Sequence, residues 1–233
     1  MRDARSIGLA ELLVGIPVHA VAQMTLALRA GYGVPRGDAA SLGGLGAFRQ
    51  GDLFGNLVPV QMDVSWRLSP RISAGLFASY GIGSQGRQLR QLLCDQYPCS
   101  RVTDVRFGAQ ASWSPGPKGP VEPWLGLGVG IEEARFDARN VTFASGNPPP
   151  ASAYLTDDIR TAYRGWAVHA EGGADWRLRP DLLVGPYLQV MLGQYRVQDV
   201  QFGPAGTVPG NGGIPSNNPH EFISLGVRAR YDL

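Results

Sequence analysis

No uninterrupted apolar run in this chain approaches the roughly 18 residues that a spanning helix needs, which speaks against a helical membrane protein. Metal-binding residues are scarce as well. There are two cysteines and three histidines, and His19, His169 and His220 are scattered. Cys94 and Cys99 therefore have no second ligand pair, and neither a metal nor a cofactor is expected. Charge of one sign is missing too: a formal net charge of +2 is too small to point to nucleic acid. Catalysis would need a nucleophile or acid with a positioned base. The one loop-side candidate is His220 with Ser224, with Glu221 beside them. Four residues along a strand separate the pair by about 13 Å at the usual rise, beyond hydrogen-bond reach. No catalytic residue is assigned, and the chain is not expected to be an enzyme.

What the chain does have is alternation. Its mean hydropathy of −0.08 and hydrophobic content of 44% would suit a soluble protein. A transmembrane strand, however, needs only about 9–11 residues, half of them apolar, and so escapes such averages. In Phe222–Leu233, Ile223, Leu225, Val227, Ala229, Tyr231 and Leu233 fall on one face. Ser224, Gly226, Arg228, Arg230 and Asp232 fall on the other, because successive strand residues point to opposite sides of a sheet. The same rhythm predicts strands at Met24–Gly33, Leu57–Leu68, Arg71–Gly83, Val102–Ser114, Val121–Phe136, Tyr163–Leu178 and Asp181–Val197. A bulky face opposite one of glycine, serine and charge suits lipid outside and a polar interior. Glycines within strands, such as Gly126, Gly128 and Gly130, fit a crowded lumen.

Connector lengths agree. Ser69-Pro70, Pro115–Pro120 and Arg179-Pro180 read as short turns, and Val34–Asn56, Ser84–Arg101, Asp137–Ala162 and Gln198–Pro219 as long loops. Short turns on one side and long loops on the other, with an even strand count, are the layout of an outer-membrane barrel. Trp66, Trp113, Trp176 and Tyr231 lie at short-turn ends, and Tyr32, Tyr80 and Trp166 near long-loop ends, as two aromatic girdles would. The expected architecture is an all-β, closed, antiparallel, eight-stranded up-and-down transmembrane barrel. A soluble lipocalin-like barrel, with its bulky face inward, is the alternative; its outer face would then carry too little charge.

Residues 1–22 resemble a secretory signal: Arg2 and Arg5, an apolar stretch from Ile7 to Val18, then Ala20-Val21-Ala22 before Gln23. Asp3 and Glu11 depart from that pattern, and a short helix on or in the barrel is the other reading. The barrel domain is then 23–233. In an oxidising compartment Cys94 and Cys99 can close a small loop disulfide.

With alternate hydrophobics ending in Tyr231-Asp-Leu233, and with Pro123–Gly130, the chain resembles the eight-stranded outer-membrane barrels, the family of OmpX and the OmpA barrel domain. The likeness covers Met24 to Leu233. It implies location in the bacterial outer membrane, contact with outer-membrane lipids including lipopolysaccharide, and a C-terminal strand read by the assembly machinery. Members usually end in Phe or Trp, where this chain has Leu233.

Counted from the short turns, Arg29, Asp63, Glu171 and Arg228 share mid-barrel depth and are expected to form a lumen ion-pair network. Asp104, Arg106, Glu132 and His169 are expected nearer the outer mouth. Lone charges there would be costly, so mutual pairing is the expected state. The network either fills the interior or gates a narrow ion pathway. In the loops, Arg36-Gly37-Asp38 resembles an adhesion tripeptide and Asn140-Val-Thr142 a glycosylation acceptor, both short enough to recur by chance. The expected function is non-enzymatic: a monomeric barrel with a structural or surface-interaction role through long loops and an unidentified loop ligand. A gated channel and, behind it, a lipid-modifying hydrolase are the alternatives.

Overall fold

Bulky residues at every second position need one apolar environment, and the backbone between them needs hydrogen-bond partners. A closed sheet in hydrocarbon satisfies both demands. The structure is a computed structural model describing residues 23–41, 47–116, 119–144, 154–202, 212–213 and 219–233. Eight strands form the wall: β1 (Met24–Ser41), β2 (Phe54–Arg67), β3 (Ile72–Gln85), β4 (Val102–Trp113), β5 (Val121–Ala144), β6 (Tyr154–Arg177), β7 (Leu182–Phe202) and β8 (His220–Asp232). Each pairs antiparallel with its neighbour in the chain. The ring closes where β8 meets β1, in register from Thr25↔Asp232 to Gly37↔His220. Among the described residues no helix is long and apolar enough to cross a membrane; here strands do the crossing.

The two faces are inverted relative to a soluble barrel. Leu127 is 68% exposed and Leu225 64%, whereas Arg29 and Asp63 are 2% exposed. Val168 and Val227 also face outward, and Glu171 and Arg228 inward. That burial pattern excludes the lipocalin-like alternative. All seven girdle residues, Trp66, Trp113, Trp176, Tyr231, Tyr32, Tyr80 and Trp166, are on the outer surface. Four of them mark the short-turn rim: Trp113 pairs with Ile72, Trp176 with Val121 and Val184, Trp66 with Met24, and Tyr231 with Leu182.

Several strands outrun their sequence signal. β5 and β6 each have 24 residues, so much of the expected loop 137–162 is a tall hairpin. Above Ile131 the outward positions turn from apolar to charged, Glu133, Arg135 and Asp137, and the hydrophobic alternation stops. Backbone pairing continues regardless, helped by cross-strand pairs such as Arg164–Glu133 and Arg160–Asp137. β1 likewise runs on to Ser41, so Arg36-Gly37-Asp38 sits in strand, paired with Glu221, His220 and Arg49. Asn140 stands at a bulge of β5 with φ 56°. The reading for 1–22, and residues 145–153, 203–211 and 214–218 of the expected long loops, lie outside the described residues.

Candidate functional site: the lumen and the outer mouth

The inward face stacks charged groups in three tiers. In the middle one, Arg29 (β1) donates from Nε to Asp63 Oδ2 (β2) at 2.7 Å, and from Nη1 across the barrel to Glu171 Oε2 (β6). Gln61 and Gln189 donate to the same two carboxylates at 2.8 and 3.2 Å. Every charge in this tier is thus met by an opposite charge or an amide, the condition on which a buried ion survives.

Arg228 is buried at similar depth but takes its partners from the tier below. Its guanidinium lies 4.0 Å from the Trp124 ring centroid and 3.8 Å from Asp175 Oδ2. Arg29 is its cross-strand neighbour in register. Two guanidiniums side by side repel, which turns Arg228 toward the aromatic face and the lower carboxylate. This lower tier was not singled out from sequence. Trp124 Nε1 donates to Asp175 at 3.1 Å, and Arg230 bonds Glu122 at 2.8 Å and Asp232 at 3.0 Å. Arg177 also reaches Glu122. These residues alternate inward like the rest, but their depth depends on strand stagger, which no single strand reveals. A cavity of about 70 Å³ remains beneath this tier, lined by Arg67, Glu122, Arg228 and Arg230 among others.

In the upper tier Arg106 bonds both carboxylate oxygens of Asp104 and lies 3.5 Å from Glu132. His169 is not part of it. That ring packs edge-on against Phe77, with centroids 4.9 Å apart, and its Nε2 lies 3.9 Å from Glu171. The histidine of the upper tier is His220, fully buried, with Nε2 2.8 Å from Glu132 Oε2 and its ring stacked on Tyr195 at 4.1 Å. His169 lies opposite Gly128, and His220 opposite Gly193. Glycine is needed there for space: a Cβ on Gly193 would stand 2.7 Å from Glu132 Oε2, and one on Gly126 2.7 Å from Glu171 Oε1.

Above the upper tier lies an apolar lid. Leu53 and Phe54 meet Leu89, Val102, Phe136, Tyr163 and Tyr195, with Leu93 and Cys94 packed against them. Leu89, Leu93 and Cys94 come from a helical segment, Arg87–Leu89 continuing into Arg90–Cys94. Cys94 and Cys99 form a disulfide with Cα atoms 5.3 Å apart. Cys99 forms a bridge to Ala138, and Ser100 N donates to Asp137 O at 2.7 Å, which ties the segment to β5. Proline and glycine in that stretch had marked it only as loop.

For catalysis, His220 is engaged by Glu132, and Ser224 lies buried on the same lumen face. Among the described residues no group of three or more His, Cys, Asp or Glu is placed to hold a metal ion.

An inverted, closed ring of eight strands, with an ion-paired lumen, aromatic rims and short turns on one side, is an outer-membrane β-barrel. Comparison with solved structures agrees in fold. The chain is similar to a major outer membrane protein from Thermus thermophilus, at 12% identity and TM-score 0.50, covering 92% of this chain and 100% of that one. It also matches the outer membrane protein AlkL (16% identity, TM-score 0.46, 100% and 95% covered) and Neisserial surface protein A (12%, 0.46, 88% and 95%). No protein-family model matches the chain, nor does any curated protein. At such identities the likeness is one of fold, and a fold of this kind hosts many roles.

Proposed function

We propose that this protein is a non-enzymatic, monomeric outer-membrane barrel that acts through its extracellular surface, with the barrel as rigid mount. The observation that carries this reading is the filled interior: three charged tiers under an apolar lid of Leu53, Leu89, Phe136, Tyr163 and Tyr195. A small barrel packed in this way leaves little room for transport. Rigid scaffolds with long loops commonly place recognition on those loops. Lipids of the outer membrane would contact the apolar belt. The C-terminal strand, ending Tyr231-Asp-Leu233, would be the segment handed to the assembly machinery.

Planar-bilayer recording of the purified barrel tests the reading. Electrical silence is expected, both in the native protein and in Glu171→Ala. Steady conductance that rises in Glu171→Ala would mean that the middle tier gates a channel. Release of acyl chains from lipid A or phospholipid would instead reveal a hydrolase.

A further inference from the structure

Outside the lumen, one concavity on the loop side combines volume, unspent charge and rigidity. It measures about 500 Å³ and lies where the short helix Gln50–Leu53 approaches the helical segment starting at Arg87. Arg87 and Arg90 border it, with Asn56, Gln91, Asp95 and Gly51. The two arginines are three residues apart on the helical segment and therefore share a face. Both are exposed, and among the described residues neither forms an ion pair. The segment that carries them is tied at two places. Leu89 and Leu93 anchor it in the lid, and the Cys94–Cys99 disulfide closes its far end.

We propose that this concavity binds a carboxylate-bearing saccharide at the cell exterior. The proposal rests on the surface-interaction reading above and names its ligand class. Each guanidinium is a planar fork that matches a carboxylate through two parallel hydrogen bonds. The amides of Asn56 and Gln91 both donate and accept, and the Asp95 carboxylate accepts, which together suit sugar hydroxyls. Asp95 also repels a densely charged polyanion, so carboxylates spaced one per sugar among hydroxyls fit better than dense phosphate. Among the described residues no aromatic ring lines the concavity, which disfavours a flat apolar ligand. Its volume falls within the roughly 300–1,000 Å³ common for small-ligand sites. Anchoring the arginines on a stapled segment lowers the ordering cost of binding.

The test is isothermal titration of the full-length barrel in detergent micelles with trigalacturonate, and with neutral maltotriose as control. Saturable binding of trigalacturonate is expected, and none of maltotriose at the same concentration. Arg87→Ala and Arg90→Ala should each weaken binding about 10-fold, the loss of a charge-assisted fork. Gly51→Leu should block the site. A Cβ at Gly51 meets no atom within 4 Å, so the added side chain starts in open space, and heat-modifiable gel mobility checks that the variant is folded. Absence of saturation, equal binding of maltotriose, or indifference to both arginine variants overturns the proposal. A barrel that is electrically silent yet ignores trigalacturonate sinks the saccharide site alone. A barrel that conducts sinks the surface-interaction reading itself.

Discussion

At the scale of single residues, the middle tier depends on Arg29, which serves two carboxylates at once. Arg29→Met would leave Asp63 and Glu171 buried without their cation. Stranding charge in this way costs about 3–5 kcal/mol. Urea titration of the folded barrel, followed by tryptophan fluorescence, should show a loss of that size, partly restored by adding Asp63→Asn. Gly128 tests crowding in place of charge. Its Cβ would fall on the His169 ring, so Gly128→Ala should destabilise by about 1–3 kcal/mol, the range for overpacking. Gly128→Ala with His169→Ala should recover most of the loss; a double variant no better than the single would refute the steric account. The inward direction of Arg29, Asp63, Asp104, Arg106, Glu132 and Glu171 was legible from alternation alone. Their partners were less so. Arg228 keeps the level of its register partner Arg29 but turns to Asp175, His169 packs on Phe77, and His220 takes the place beside Glu132, contacts set by neighbouring strands that no single strand reveals.

At the scale of elements, the strands were legible where lipid touches them and faded where it does not. β5 was readable to Phe136, while its described strand runs to Ala144. Beyond the belt, outward residues need only be soluble, so the period-2 hydrophobic signal vanishes although the ladder persists. The helical segment 87–94 left no periodic trace because it spans only eight residues and its apolar residues face a lid assembled from five other regions. Its stapling is open to measurement. In the chain-entropy picture, a disulfide between residues five apart stabilises the closed loop by about 2 kcal/mol. The double variant Cys94→Ser, Cys99→Ser should therefore lower amide-exchange protection in 89–101 by roughly 30-fold, following the usual conversion of free energy to equilibrium. Protection in β2 to β4 below the rim should hold. Equal loss throughout the wall would mean that the staple supports the barrel and not the lid.

At the scale of the whole molecule, the decisive property is which face meets hydrocarbon, and this was the most legible feature of all. Alternation states that the two faces differ, and the glycines and ion-pairing groups on the thin face state which one can be enclosed. Closure follows, since an open edge in lipid would strand backbone donors and acceptors. A reversed assignment would make the outward positions ordinary core sites, where a cation fails at any height. In a membrane the cost instead depends on depth. Leu127 sits midway along the outward row of β5, between Leu125 and Val129, and is 68% exposed; Leu178, 64% exposed, lies at the short-turn rim. Leu127→Arg should cost about 2–4 kcal/mol in refolding titrations into lipid vesicles, and Leu178→Arg at most about 1 kcal/mol. Similar exposure with unequal cost is the signature of a lipid environment, because exposure to water would make both substitutions nearly free. If the two variants unfold at the same urea concentration as the native barrel, the apolar belt does not face hydrocarbon, and the three tiers lose their reason to be ion-paired.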